Sequence, residues 1–296
     1  MNMLPFSFYY HWQDVPDQLL GAVLDEFAAN GVEYMVFSHI WGRRIVDEPE
    51  FFPRLCSRLK DAGLKLAGVH GLWGQAFDLN CPDRARRDGL VAAHKLFMNY
   101  AADAGCRTYT LHVGAYDWVF NRTPLEVLRP LALDTLEKLL PEAEKLEMVL
   151  AVENSFEPPN TPDEVAALIE HFDSPWIGCC FDSGHANLMA PFPGKERGKY
   201  CESIARAWGD ALVEYSGALE RLAPHIVTCH LHDNDGYRDG HCLPGTGRVN
   251  WPELVGKLAG LPRLLSLQSE AAPADTAVAR ICRAYREQLP SLVQLK

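Results

Sequence analysis

The sequence predicts an α/β fold, a single (β/α)8 barrel, and three observations carry that prediction. Eight short apolar runs recur at a spacing of roughly 37 residues, the number of strands in a closed parallel barrel. Amphipathic helical stretches lie between them, as parallel strands require, since each is joined to the next by a crossover. Neither G-x-G-x-x-G nor G-x-x-x-x-G-K-[ST] follows any run, so the phosphate loops common in open doubly wound sheets are missing.

The runs occupy residues 5–9, 34–38, 65–70, 107–112, 148–153, 176–182, 225–230 and 264–270. Each has the length of a buried strand, and most are rich in Val, Leu, Ile, Phe or Tyr. The clearest helices are 82–104 and 124–146, with apolar residues three and four apart and a proline near the start. Gly31, Gly63 and Gly105 each follow a helical stretch and precede a strand, where a helix end favours a residue tolerant of positive φ. Length alone suggests two domains, but barrels of this kind run to about 250 residues or more, so 1–296 reads as one domain. Its longest insertion, around 186–200, contains MAPFPGKERGKY at 189–200 and follows the sixth strand. That segment reads either as a lid or substrate loop or as a plain surface loop.

Composition narrows the function. The 296 residues carry 39 acidic and 28 basic side chains, a formal net charge of −11, which argues against a surface built to neutralise nucleic-acid phosphates or anionic lipid. Nine cysteines, odd in number and without a C-x-x-C pair, read as reduced, mostly buried small hydrophobes, and this favours a cytoplasmic setting. The opening MNMLPFSFYYHWQD lacks the basic and long apolar regions of a signal peptide, and no stretch approaches a membrane span.

Six successive strands end in a side chain that can bind a metal ion: His70, His112, Glu153, Asp182, His230 and Glu270. Taken singly, a strand-end histidine is commonly structural and a strand-end Asp or Glu often caps a helix. In a barrel, however, the six ends converge on one mouth, and neither capping nor apolar packing selects six in a row. Glu153, Asp182, His230 and Glu270 offer three hard oxygen ligands and one imidazole, a set suited to Mn²⁺, Mg²⁺ or Co²⁺ and open to Zn²⁺. His70 and His112 complete a second site with Glu153 as bridge. His185, Asp239 and His241 make a third, and these nitrogen-rich sets lean towards zinc.

At these residues the chain resembles the xylose isomerase-like barrel superfamily, which holds sugar isomerases, ketose 3-epimerases, inosose dehydratases and apurinic-site endonucleases. The resemblance runs from His70 to Glu270 and rests on AVENS around Glu153, CFDSGHAN around Asp182 and His185, HLHDNDG from His230, and QSE ending at Glu270. It implies that Glu153, Asp182, His230 and Glu270 are the core metal quartet. In the epimerase branch the two glutamates also trade a proton on opposite faces of the substrate. Either His230 or His232 can serve as the ligand in HLHD; the pattern H-x-x-[DE], completed by Asp233, favours His230. The endonuclease branch also uses residues that look like His70, His112, His185, Asp239 and His241, all present here. Yet SFEPPNTPDE after Glu153 does not resemble the glycine-rich stretch of that branch, and the acidic balance is wrong for a DNA clamp.

The resulting expectation is a metal-dependent isomerase or epimerase of a sugar or sugar phosphate, with Glu153 and Glu270 moving the proton. His185 would hydrogen-bond a substrate hydroxyl, and Arg238 or Arg248 would meet a terminal hydroxyl or phosphate. Phe8, Tyr10, His11, Trp12, Trp41, Trp73 and Trp118, at or after the first four strands, would pack on sugar faces or on one another. Lys195, Arg197 and Lys199 would attract an anionic substrate or simply solvate their loop. Asp233 and Asp235 would orient ligand imidazoles or form a turn near Gly236. The alternatives are a multi-zinc phosphodiesterase, an inosose dehydratase-like lyase, and a barrel that binds metal or sugar without turnover. The expected partner is a small carbohydrate, with no membrane and no nucleic acid.

Overall fold

The computed structural model describes residues 4–209, 214–271 and 276–292. Eight parallel strands close into one barrel in chain order. They are β1 (Phe6–Phe8), β2 (Tyr34–Phe37), β3 (Lys65–His70), β4 (Thr108–Leu111), β5 (Val149–Glu153), β6 (Ile177–Asp182), β7 (Ile226–Leu231) and β8 (Leu267–Ser269). Closure joins β1 to β8, with Phe6 opposite Leu267 and Ser7 opposite Gln268. Every predicted run coincides with one strand. The differences are at the ends: β4 and β8 stop one residue short of His112 and Glu270, and β7 runs one residue past His230.

Helices cover the outer face. Arg84–Asp103 begins where the Asp83 side chain accepts from the Arg86 N–H at 3.2 Å, and Leu125–Lys145 follows Pro124. Gly31, Gly63 and Gly105 adopt φ of +80°, +72° and +86°, the left-handed geometry expected at these helix ends. Between sheet and helices lies the apolar core, where Phe8 packs against Phe27 and Tyr285, and Phe37 against Phe97. Among the described residues no helix is long and apolar enough to cross a membrane. All nine cysteines are free thiols.

The barrel interior is different in kind. Side chains alternate across a strand, so the residue two before each mouth residue also points inward. Those residues are Gly68, Thr110, Ala151, Cys180, Thr228 and Gln268, small or polar in every case. Gln268 Nε2 donates to Thr228 Oγ1 at 3.3 Å, and Thr228 and Thr108 meet the Ser266 hydroxyl at 2.9 and 3.3 Å. Gly68, at φ +80°, leaves room for this network; a Cβ there would lie 3.0 Å from Gln268 Nε2. The mouth residues therefore stand on a compact, hydrogen-bonded floor.

One contact fixes the last strand to the site. The Tyr285 hydroxyl accepts from the backbone N–H of Glu270 (3.2 Å) and Ala271 (3.0 Å) and donates to the Leu231 carbonyl. The Glu270 N–H also donates to the Leu231 carbonyl at 3.1 Å, so Tyr285→Phe takes the hydroxyl chiefly from the buried Ala271 N–H, and its expected cost is about 1–2 kcal/mol in urea denaturation. Wild-type stability in that variant would show that the hydroxyl has no such role.

Candidate functional site

The strand ends bring ten titratable side chains together at the C-terminal mouth. His230 Nδ1 lies 3.1 Å from Glu153 Oε2 and 3.2 Å from Glu270 Oε2, so one imidazole nitrogen sits between two carboxylates. His112 Nε2 approaches Glu153 Oε2 at 3.1 Å, and His70 Nε2 approaches Glu270 Oε1 at 3.4 Å. On the other side His185 Nε2 and His241 Nε2 reach Asp239 Oδ2 at 3.3 and 3.2 Å. His232 Nε2 lies 3.1 Å from Asp182, and its ring stacks on His241 with centroids 4.1 Å apart. Both histidines of HLHD thus reach the site: His230 joins the two glutamates, and His232 supports the Asp182 side.

Backbone contacts set which nitrogen of each ring is presented. His70 Nδ1 bonds the Gly71 carbonyl at 3.1 Å, His185 Nδ1 the Asn154 carbonyl at 2.9 Å, and His241 Nδ1 the Glu270 carbonyl at 3.1 Å. A carbonyl only accepts, so Nδ1 carries the proton in each neutral ring and Nε2 is left as a donor pair for a cation. Asn154 ties the fifth and sixth strand ends, accepting from the Asp182 N–H at 2.9 Å and donating to the Asp182 carbonyl at 3.2 Å. Asp182 also caps the helix Ser183–Met189, its Oδ1 accepting from the His185 N–H at 2.6 Å, and its other oxygen, Oδ2, meets His232 Nε2 at 3.1 Å. Asp233 accepts from the N–H groups of Asn234, Gly245 and Val249 and from Trp251 Nε1, at 2.9–3.0 Å. It therefore organises the loop that carries Asp239 and His241 instead of touching an imidazole. His241 sits at φ +40°, a conformation costly for a non-glycine residue.

The donor set fits divalent cations. Glu153 Oε1 and Oε2, Glu270 Oε2, Asp239 Oδ1, His112 Nε2 and His230 Nδ1 are buried and make no hydrogen bond, although they crowd one another. Buried polar atoms left in this state are costly unless a further group satisfies them. Their ligand atoms fall into sets within 4.8 Å: Glu153, Asp182, His230 and Glu270; His70, His112 and Glu153; and His185, His232, Asp239 and His241.

Without a cation, the imidazoles carry the compensating charge. Burial pushes the Glu153 carboxyl up, but His112 and His230 outweigh it and hold it well below the carboxylate range. Glu270 behaves alike, held down chiefly by His230, and Asp239 by His185 and His241. In return His185 and His230 are lifted well above the usual imidazole value against the effect of burial, and His241 to about 10, mainly by Asp239. Cys180, beneath Glu153 and His230, is pushed up to about 12 by burial and remains a thiol.

The pocket around this set has a volume of about 900 Å³. Tyr9 and His39 line it and were not evident from the sequence, because neither ends a strand-like run in a charged residue. His39 opens the helix His39–Asp47, lies tilted against the His70 ring (centroids 4.8 Å apart), and burial pushes its imidazole down to about 2, so it stays neutral. His11 and Trp73 also line the pocket.

Several expected contacts lie elsewhere. Trp12 is buried and stacks on Trp41 at 4.4 Å, and Phe8 and Tyr10 pack against Phe27. Trp118 turns away to donate to the Ala207 carbonyl at 2.8 Å, because on the helix Tyr116–Asn121 it is Tyr116 and Phe120, one turn apart, that face the pocket. Arg238 is exposed and paired with Asp235, whose carboxylate also holds the turn at Tyr237; Arg248 lies over the Phe192 ring. Lys195 donates to the carbonyls of Leu188 and Ala190, and Lys199 pairs with Glu196, so both fold onto their own loop. The Arg197 side chain lies outside the described residues.

The chain belongs to the xylose isomerase-like TIM barrel family, whose model matches residues 23–287. Among curated relatives, the uncharacterized protein y4fM of Sinorhizobium fredii is 31% identical over 94 residues, 32% of this chain and 23% of that protein. The chain's matches span less than half the length of the curated relatives. Among solved structures, a D-tagatose 3-epimerase-like protein superposes with a TM-score of 0.73 at 17% identity, covering 98% of both chains. The IOLI protein with a binding zinc atom superposes with a TM-score of 0.68 at 13% identity, again over 98% of each. At these identities the likeness is one of fold.

Because His185, His230 and His241 hold protons in the cation-free site, a divalent cation must displace protons to bind. The expected outcome is release of at least one proton per ion, with affinity falling as pH is lowered. Calorimetric titration in two buffers of different ionisation enthalpy reads this directly; identical heats in both would contradict it.

Proposed function

We propose that this protein is a metal-dependent sugar isomerase or epimerase that moves a proton beside a carbonyl. The observation that carries the reading is the placement of the Glu153 and Glu270 carboxylates on either side of His230 Nδ1, 3.1 and 3.2 Å away, with buried oxygens free of hydrogen bonds. Family membership and the fold shared with an epimerase-like protein support it, as does the zinc named for the IOLI structure.

Glu153, Asp182, His230 and Glu270 would hold the cation. When bound, it would polarise the substrate carbonyl and chelate the neighbouring hydroxyl, making the adjacent C–H more acidic. Both glutamates would be ionised beside the cation, so each could accept a proton through an oxygen the cation leaves free. One carboxylate oxygen takes the proton from one face, and the other glutamate returns a proton from the opposite face. His185 Nε2, directed at Asp239, would bind a substrate hydroxyl. Nine free thiols support a cytoplasmic setting.

Phosphodiester hydrolysis is the second reading, favoured by one observation: the ligand atoms form several overlapping sets, among them three that between them use all ten mouth side chains and share only Glu153. The pocket lining weighs against it. Beyond the ligand sets it carries Asp78, Glu157 and Glu202 against Arg43 and Arg206, the wrong balance for a nucleic-acid phosphate.

Metal-loaded protein is expected to exchange a substrate C–H with solvent deuterium in a panel of ketoses and inososes. Glu153→Gln and Glu270→Gln should each lower the rate about 10²–10⁴-fold while the fold is retained by circular dichroism. Absence of exchange and isomerisation across the panel would overturn the reading. Salt-sensitive cleavage of an abasic duplex would establish the hydrolase instead.

A further inference from the structure

The pocket continues outward beyond the ligand sets, and its outer part has a chemistry of its own. The helix Tyr116–Asn121 forms one wall and the helix Glu202–Trp208 the other. The walls are tied together by Trp118 Nε1 on the Ala207 carbonyl (2.8 Å) and Arg122 on the Arg206 carbonyl (3.0 Å). The cleft is therefore built into the fold rather than left between loose segments.

Two aromatic rings define its surface. Trp73 is 49% exposed and Phe120 55%, and among the described residues they are the two aromatic side chains with large exposure. Both line this pocket. The Trp73 ring centroid stands 6.1 Å from that of His112, one ring's distance beyond the ligand sets. Phe120 is held from behind by Tyr116, with centroids 4.8 Å apart. Exposed rings lose hydration cheaply when a sugar's C–H face covers them, and their faces, as where Arg206 lies 5.9 Å from the Phe120 centroid, do not attract an anion.

The charged groups here are arranged against an anion. Glu157, Glu202 and Asp78 line the outer pocket, and its two arginines are engaged, Arg206 by Glu202 and Arg43 by the Trp73 carbonyl. A phosphate entering this cleft would meet net negative charge. Size points the same way. A volume of about 900 Å³ is near the top of the ~300–1,000 Å³ range of pockets that enclose drug-sized ligands, and a single hexose is well below drug size.

We infer that the substrate is a neutral glycoside or oligosaccharide, its reacting sugar at the ligand sets and a second sugar ring in the outer cleft against Trp73 and Phe120. This rests on the isomerase or epimerase reading. It departs from the expectation of a cationic side chain for a terminal phosphate, since Arg238 and Arg248 lie outside the pocket.

The test compares three ketoses with one core: fructose, fructose 6-phosphate and isomaltulose, whose sixth oxygen carries hydrogen, phosphate or glucosyl. Binding to the metal-loaded protein is measured by calorimetry and deuterium exchange by mass spectrometry. Isomaltulose is expected to bind at least tenfold more tightly than the other two. In Trp73→Ala and Phe120→Ala the ratio of isomaltulose to fructose affinity should fall about tenfold, while circular dichroism reports the fold. Equal affinities, tighter binding of fructose 6-phosphate, or an unchanged ratio in both variants overturns the outer sugar site. Tight isomaltulose binding without exchange on any sugar keeps the site and overturns the proton-transfer reading, so the two fail separately.

Discussion

The structure is organised around the burial of four carboxylates at the barrel mouth. Glu153, Asp182 and Glu270 are almost wholly removed from water, and Asp239 lies beside them. Charges so placed are tolerated only when opposite charge and hydrogen bonds meet them. Six imidazoles stand against them at 3.1–3.5 Å. The close approaches without hydrogen-bond geometry are an arrangement a divalent cation would complete, because a cation needs its donors near one another and needs their lone pairs unspent.

Much of the surrounding fold serves to hold these donors still. Three rings are anchored through Nδ1 to backbone carbonyls, Asn154 locks the fifth strand end to the sixth, and Tyr285 fixes the end of the eighth. Asp233 spends its carboxylate on the loop that delivers Asp239 and His241, and the left-handed backbone at His241 is carried by that same loop. Small inward residues such as Gly68, Ala151 and Thr110 under the mouth let long polar side chains from different strands converge above them.

The barrel was legible in the sequence because its signals are local: run length, helical period, and glycines at helix ends. The convergence of the strand-end side chains was legible for a related reason, since the closing topology turns strand ends into neighbours. What the sequence hid depends on which way a side chain faces after the strand. Trp12 and Trp118 occupy suitable positions along the chain, yet a stack on Trp41 and a turn of helix carry them away, while Phe120 comes inward. His39 was missed because it stands at a helix start behind an apolar strand, and nothing in its neighbours marks it as buried beside His70. Arg238 sits close to Asp239 in sequence but is held outward by Asp235.

The central claim is that the strand-end side chains form a metal centre, and anomalous diffraction from crystals of protein reconstituted with Mn²⁺ or Zn²⁺ tests it most directly. The expected result is an anomalous peak among Glu153, Asp182, His230 and Glu270, with elemental analysis giving at least one ion per chain. Reconstituted protein without stoichiometric metal, or with its metal bound only away from these residues, would contradict the account.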